Sequence, residues 1–236
     1  DGISNNIDID FGFQVHNMNE FKDAFSYNIK TAVSTGEGRN VTSNPDAGVA
    51  VTGKVELMPL GAFTKDGTYF EGDIVRESKP KLLLSAAFQQ NNQAKRAQGQ
   101  LGNDLFEART MKSLMLDAMV KYNGWAAMSS YMSRTTSKNA ITIDPTDNTQ
   151  SNFVYVGSGF DHQLSYIFPS NYEIIGRYST QTVGDDIKAL APNTKQYSFG
   201  VTKYIWEHTF KIQSELTFDT LSYFNGTTKN NFYVRF

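Results

Sequence analysis

The 236-residue sequence predicts an all-β fold, an antiparallel transmembrane β-barrel, on three observations. Apolar residues recur at every second position in segment after segment, the period of a strand with two unlike faces. The connections alternate between short turns and long polar loops, as the two rims of a membrane barrel do. Aromatic residues gather at segment ends beside the short turns, where a membrane interface would lie.

The segments follow in order. Residues 7–16 set Ile7, Ile9, Phe11, Phe13 and Val15 against Asp8, Asp10, Gly12, Gln14 and His16. Residues 25–33 set Phe25, Tyr27, Ile29 and Val33 against Ser26, Asn28, Lys30 and Ala32. Val49, Val51, Val55 and Leu57 alternate with Thr52, Lys54 and Glu56; Leu82, Leu84, Ala86 and Phe88 form the next apolar series. Leu114, Leu116, Ala118 and Val120 oppose Ser113, Asp117 and Lys121. Residues 125–134 read as a strand whose faces the pattern does not resolve. Residues 153–168, 172–180, 196–205 and 209–219 follow, and Phe232, Val234 and Phe236 alternate with Tyr233 and Arg235 at the end. That makes about eleven strands in one domain over residues 1–236, most of them about 9–11 residues long, enough to cross a bilayer when tilted.

Short turns are expected at 17–20, 121–124, 168–171 and around Glu207 and His208. Long polar loops are expected at 36–48, 89–112, 135–152, 181–195 and 220–231. The linker at 60–80 breaks the rule, being long where a short turn is due. A soluble sandwich has no reason to sort its hairpins by rim.

Composition removes other classes. Without Cys there is no disulfide scaffold, thiolate metal site or cysteine nucleophile. With 22 Lys and Arg against 24 Asp and Glu there is no basic field for nucleic acid. No apolar run exceeds four residues, far short of the roughly 20 that a membrane helix needs.

Alternation alone does not separate a membrane barrel from a soluble one, in which the apolar face would form an ordinary core. The aromatic placement at Tyr69-Phe70, Tyr122 with Trp125, Tyr166 with Phe168 and Tyr172, and Tyr204 with Trp206 favours an interfacial girdle. The closing segment Asn231-Phe232-Tyr233-Val234-Arg235-Phe236 resembles the terminal strand of bacterial outer-membrane proteins, and the resemblance makes Phe236 an assembly signal.

Several stretches resemble the phosphate-selective porin O/P-type family, particularly its members from Bacteroidetes-like bacteria. They are residues 34–40 (Ser-Thr-Gly-Glu-Gly-Arg-Asn), 53–61, 69–73 running into 79–82, 96–102, 117–124 and 172–178. The resemblance spans nearly the whole chain. It implies a sixteen-stranded porin of the bacterial outer membrane, in contact with lipid and lipopolysaccharide. It also implies passive passage of small polar or ionic solutes, phosphate or other anions among them, with no enzyme activity and no cofactor. A homotrimer, or membership of a larger envelope complex, is the expected assembly. Single-chain bacterial barrels close with an even strand number. If the last strand is the sixteenth, the first is the sixth, so about five strands and a signal peptide are expected upstream of Asp1, whose neighbours lack a leader pattern.

With the apolar series facing lipid, Lys30, Lys54, Lys81, Lys121, Arg177, Lys211 and Arg235 line the interior. So do Asp8, Asp10, Glu56, Asp117, Asp161, Glu173 and Glu215. Interleaved signs, with Lys54 beside Glu56 and Glu173 beside Arg177, argue against a strongly anion-selective field. Lys95, Arg96 and Arg109, in the expected 89–112 loop, are the candidates for an inward constriction, and Lys65, Arg76 and Lys79 belong to the 60–80 linker. Other motifs are weak. Gly36-Glu37-Gly38 precedes no helical pattern, His16, His162 and His208 lack ligand spacing, and Asp144, Asp147, Asp185 and Asp186 lack an EF-hand register. No metal site is expected. Neither is a catalytic one. A barrel serving as a structural or partner subunit of an envelope complex, and a soluble β-sandwich binding module, are the rival readings.

Overall fold

The computed structural model describes residues 11–21, 24–37 and 48–236. The chain is 66% strand and 4% helix, and its principal unit is one antiparallel sheet of eleven strands. In chain order the strands are β1 (Gly12–Phe21), β2 (Phe25–Ser34), β3 (Ala50–Met58), β4 (Lys81–Arg96), β5 (Asp104–Tyr122) and β6 (Trp125–Thr136). Then come β7 (Ile141–Ile143), β8 (Ser151–Phe153), β9 (Gly157–Ile167), β10 (Tyr172–Val183), β11 (Asn193–Trp206), β12 (Phe210–Ser222) and β13 (Thr228–Arg235). Each strand of the large sheet pairs with its neighbours in sequence, while β7 and β8 form a small hairpin of their own. β1 and β13 each pair on one side only, so the sheet is open and the expected barrel closure is absent from the described residues.

Among the described residues, register puts the polar members of the alternating series on one face. Lys30 faces Lys54, Asn28 faces Glu56, Glu56 faces Ser85 and Ser85 faces Asp117; the row runs on through Ser130, Asp161, Ser179, Gln196, Asp219 and Asn231. This polar face, the inner one, is covered by the 60–80 segment and by loops. The outer face carries Val33, Val55, Leu84, Leu116, Ile174, Phe199, Leu216 and Phe232, each between 39% and 67% exposed where a soluble sheet would bury them. Ser26, Asn28, Glu56, Ser85, Ser165 and Thr217 on the inner face are buried instead.

The short turns are built by residues that tolerate positive φ. Asn123 (φ 48°) and Gly124 (φ 90°) make the two-residue turn between β5 and β6, where a Cβ on residue 124 would stand 2.6 Å from the Ile167 carbonyl. Four expectations need correction. β1 runs through residues 17–20, which pair with 26–29; the chain turns beyond Phe21 instead, because Phe21 and Phe25 pair and stack on the outer face. Residues 89–112 are mostly strand: β4 and β5 extend past the rim as one long hairpin with bulges, capped only at 97–103. Residues 220–231 likewise shrink to a connection at 223–227, since Ser222 still pairs with Thr228. The segment 153–168 is broken, with Phe153 in the small hairpin and β9 starting at Gly157, whose φ of 138° suits only glycine.

Two apolar clusters sit on the inner side. At the long-loop rim Ala94, Ala97, Leu105 and Met111 of the extended hairpin pack with Ala140, Val154, Ile187 and Ala191, fixing the 137–156 and 184–192 loops over the sheet. Toward the short-turn rim Met58, Leu83 and Met119 receive Phe63 from the 60–80 segment.

Candidate functional site

Among the described residues, the inner face and the segment docked on it form an extensive polar surface. The segment enters by seating Phe63 on the Met58, Leu83 and Met119 cluster, then makes a 3-10 turn at Thr64–Tyr69. Lys121 holds it. This lysine is 1% exposed, and its ammonium donates to the carbonyls of Gly67 (2.7 Å), Phe70 (2.5 Å) and Gly72 (3.0 Å). A buried ammonium needs such partners, since desolvation otherwise drives it out of the interior. Gly72 lies so close to β10 and β11 that a Cβ would meet the Glu173 carboxylate at 2.7 Å and the Tyr204 hydroxyl at 3.2 Å.

Carboxylates complete the docking. Asp73 accepts from the backbone N–H of Glu77 and of Gly124, and Glu77 accepts from the N–H and hydroxyl of Thr64. The Arg76 guanidinium donates to the carbonyls of Ile167 and Asn123, tying the segment to two short turns. Gln163 donates to Glu71. At the rim His208 stacks on Phe70, ring centres 3.9 Å apart and nearly parallel. Burial, with the Lys121 and Lys211 ammonium groups nearby, holds the His208 imidazolium pKa below its ordinary value.

All twelve predicted interior residues among those described lie on the inner face by register; Asp8 and Asp10 lie outside the described residues. Their pairing differs in part from the expectation. Glu56 takes both Lys54 (2.7 Å) and Lys30 (3.1 Å), as adjacent signs suggest. Glu173 does not meet Arg177. It accepts from the Tyr204 hydroxyl at 2.7 Å, while Arg177 lies 3.8 Å from Asp161, which also accepts from Ser179. Residues four apart on a strand stand about 13 Å apart along it, whereas Arg177 and Asp161 lie near each other on neighbouring strands. Arg235 lies 3.9 Å from Glu215, Lys81 donates to the Leu60 carbonyl, and Lys211 stands over the Tyr204 ring.

Of the expected constriction cations, Arg96 and Arg109 are held in ion pairs. Arg96 lies 3.6 Å from Asp104. Arg109 binds Glu107 and the carbonyls of Asn139 and Ile141, and the Lys95 N–H donates to Glu37. At the long-loop rim the 137–156 and 184–192 loops pack against the hairpin instead.

Sequence reasoning missed Arg134, Asp219 and Lys229 on the inner face and Tyr204, which is buried there rather than interfacial. The period-two register of residues 125–134, anchored by the Asn123-Gly124 turn, was the signal for Arg134. His16 shares the inner face with Lys30, while His162 lies on the outer face and shares a hydrogen bond with Ser129 at 2.7 Å. Phe236 is 99% exposed at the free end of β13. Asp144 and Asp147 each cap their own turn through Thr146 and Thr149, and those bonds hold both carboxyls below the usual range. Among the described residues no cluster of His, Asp and Glu has metal-site geometry.

Outward-facing Phe21, Tyr122, Trp125, Phe168, Tyr172 and Phe210 collect at the short-turn rim, a band of exposed aromatics across the sheet. No protein-family model, curated protein or solved structure matches the chain.

Proposed function

We propose that this sheet is the wall of an outer-membrane barrel whose polar inner face lines a water-filled passage for small polar or ionic solutes. One observation carries the reading: the fold is inverted, with apolar side chains bare on the outer face and charges sheltered on the inner. Half-exposed aromatic and aliphatic residues repeated over eleven strands present on the order of 2,000 Å² of apolar surface, taking roughly 150–250 Å² per large side chain. Soluble monomers rarely expose patches beyond a few hundred Å². Lipid removes the conflict, and the aromatic band matches an interfacial girdle.

The unpaired edges of β1 and β13 belong to the same reading. Backbone groups facing hydrocarbon cost several kcal/mol each unless paired, so further strands must close the wall between them. The phosphate-selective porin resemblance supplies the architecture, sixteen strands, that such closure would complete. It does not supply the selectivity, because Lys30, Lys54, Arg177 and Arg235 have carboxylate neighbours within 4 Å.

A second reading, a barrel acting as a structural or partner subunit, draws on the docked 60–80 segment, which occupies the short-turn end of the inner face. Planar-bilayer recording separates the two. The porin reading predicts discrete conductance steps and a small reversal potential in a salt gradient. Incorporated protein that carries no current refutes it and favours the partner subunit.

A further inference from the structure

Arg134 stands apart from the other inner-face cations. Register with Ser113 and Gly157 turns it inward, and among the described residues its only side-chain hydrogen bond is from Nε to the Ser113 hydroxyl at 3.3 Å. Among the described residues no carboxylate lies within 4 Å of it, so the two terminal nitrogens, the face that grips a planar oxyanion, are free.

Two cavities meet at this side chain. One, of about 290 Å³, is polar and opens among Asn91, Gln98 and Gln100 beneath the tip of the β4–β5 hairpin. The other, of about 570 Å³, lies on the inner face where the 137–156 loop ends at Tyr155 and Val156, with walls from Met115, Met132 and Tyr155. Its size is that of small-molecule sites, and its mixture of apolar walls with a few convergent polar groups is theirs also. Asp161 lies on the same cavity, four residues along β9 from the Gly157 that pairs with Arg134. That sequence distance is about 13 Å of strand. One end of the cavity thus favours a negative charge, and the far end, where Asp161 has Arg177 beside it at 3.8 Å, offers no unpaired cation to a second.

We infer that the cavity beside Tyr155 and Val156 binds small organic monocarboxylates, with the carboxylate on the Arg134 guanidinium and an apolar body against Met115, Met132 and Tyr155. An uncharged analogue loses the arginine, inorganic phosphate gains nothing from the walls, and a dicarboxylate of the same length finds at the far end only the Arg177 already paired with Asp161. The inference deepens the proposed channel by naming a solute class, and binding itself needs no membrane.

Calorimetric titration of the detergent-purified chain with 3-phenylpropionate, 3-phenylpropanol, pimelate and inorganic phosphate tests it. The expected result is 3-phenylpropionate binding at least tenfold tighter than each of the others. Arg134→Gln should weaken it at least tenfold, and Arg134→Lys, which keeps the charge but loses the planar fork, several-fold. Equal affinity for the alcohol, the dicarboxylate or phosphate overturns the assignment, as does unchanged binding to a folded Arg134→Gln protein. Should that variant fail to fold, unchanged binding to Arg134→Lys does the same. Bilayer current without 3-phenylpropionate binding refutes the site and keeps the channel; binding without current refutes the channel and keeps the site.

Discussion

Replacing Lys121 by Met removes the ammonium that anchors the inner segment while nearly preserving side-chain volume. Three carbonyls lose a charged donor, and hydrogen bonds to charged groups contribute about 1.5–3 kcal/mol each. Against this, burying the ammonium costs several kcal/mol, which the substitution returns. The net loss of docking energy is about 2–4 kcal/mol, or roughly thirtyfold to a thousandfold in the undocking equilibrium. Because the chain has no cysteine, a single introduced thiol reports it. Ser165 is 2% exposed and stands between Gln163 and Ile167 on β9; the first bonds Glu71 and the second packs against Gly72. Ser165→Cys is nearly isosteric and lies beneath the segment. Its alkylation by a polar maleimide should accelerate at least thirtyfold in the Lys121→Met background. Acceleration below threefold would refute the claim that Lys121 anchors the segment.

Three further outcomes follow from the same geometry. Because burial and two nearby ammonium groups lower the His208 pKa in the folded state, its contribution to stability is complete above the unfolded value near 6.5 and is lost as pH falls through the folded one. Acid should therefore loosen the Phe70–His208 stack, next to which lie Tyr204, Glu207 and the Lys65 that pairs with Glu207. His208→Phe should flatten the pH dependence of Ser165→Cys labelling between pH 7 and 5, taken relative to a free thiol so that the titration of the thiol itself cancels, and a retained relative dependence counts against the assignment. Leu116→Arg places a charge on the outer face and should cost about 2–4 kcal/mol in unfolding from liposomes, whereas Ser130→Arg, inward beside Asp117 and Asp161, should cost far less; equal costs contradict the facing. Glu56→Gln leaves Lys30 and Lys54 opposed across β2 and β3, so the reversal potential should move toward anion selectivity, more so at low salt; no shift contradicts their exposure to solute.

The strands were legible because period two is a strong signal when every second residue changes polarity. Ile29, Val55, Leu84, Leu116 and Val234 fell on the outer face as their spacing required. Turns were less legible. Asn17-Met18-Asn19-Glu20 has turn composition, yet Phe21 and Phe25 paired on the outer face carry β1 past it. Polar residues 89–112 read as a loop because strands that project beyond the rim no longer need an apolar face. The docked segment left a trace that alternation obscures: Leu83, Met119 and Met128 are apolar at inner-face positions, beside a linker too long for its rim. The partner of Arg177 depends on cross-strand register, which no local pattern encodes.

The central claim is that lipid covers the outer face, and the two tryptophans test it directly. Trp125 and Trp206 are 52% and 69% exposed and both stand at the short-turn rim. Reconstituted into bilayers of brominated lipids, both should lie in the interfacial layer. The account predicts strong fluorescence quenching by bromine near the headgroup end of the acyl chain, weaker quenching by bromine near the bilayer centre, and little by aqueous acrylamide. Efficient acrylamide quenching with no response to brominated lipid, from protein that stays dispersed without detergent, would contradict it.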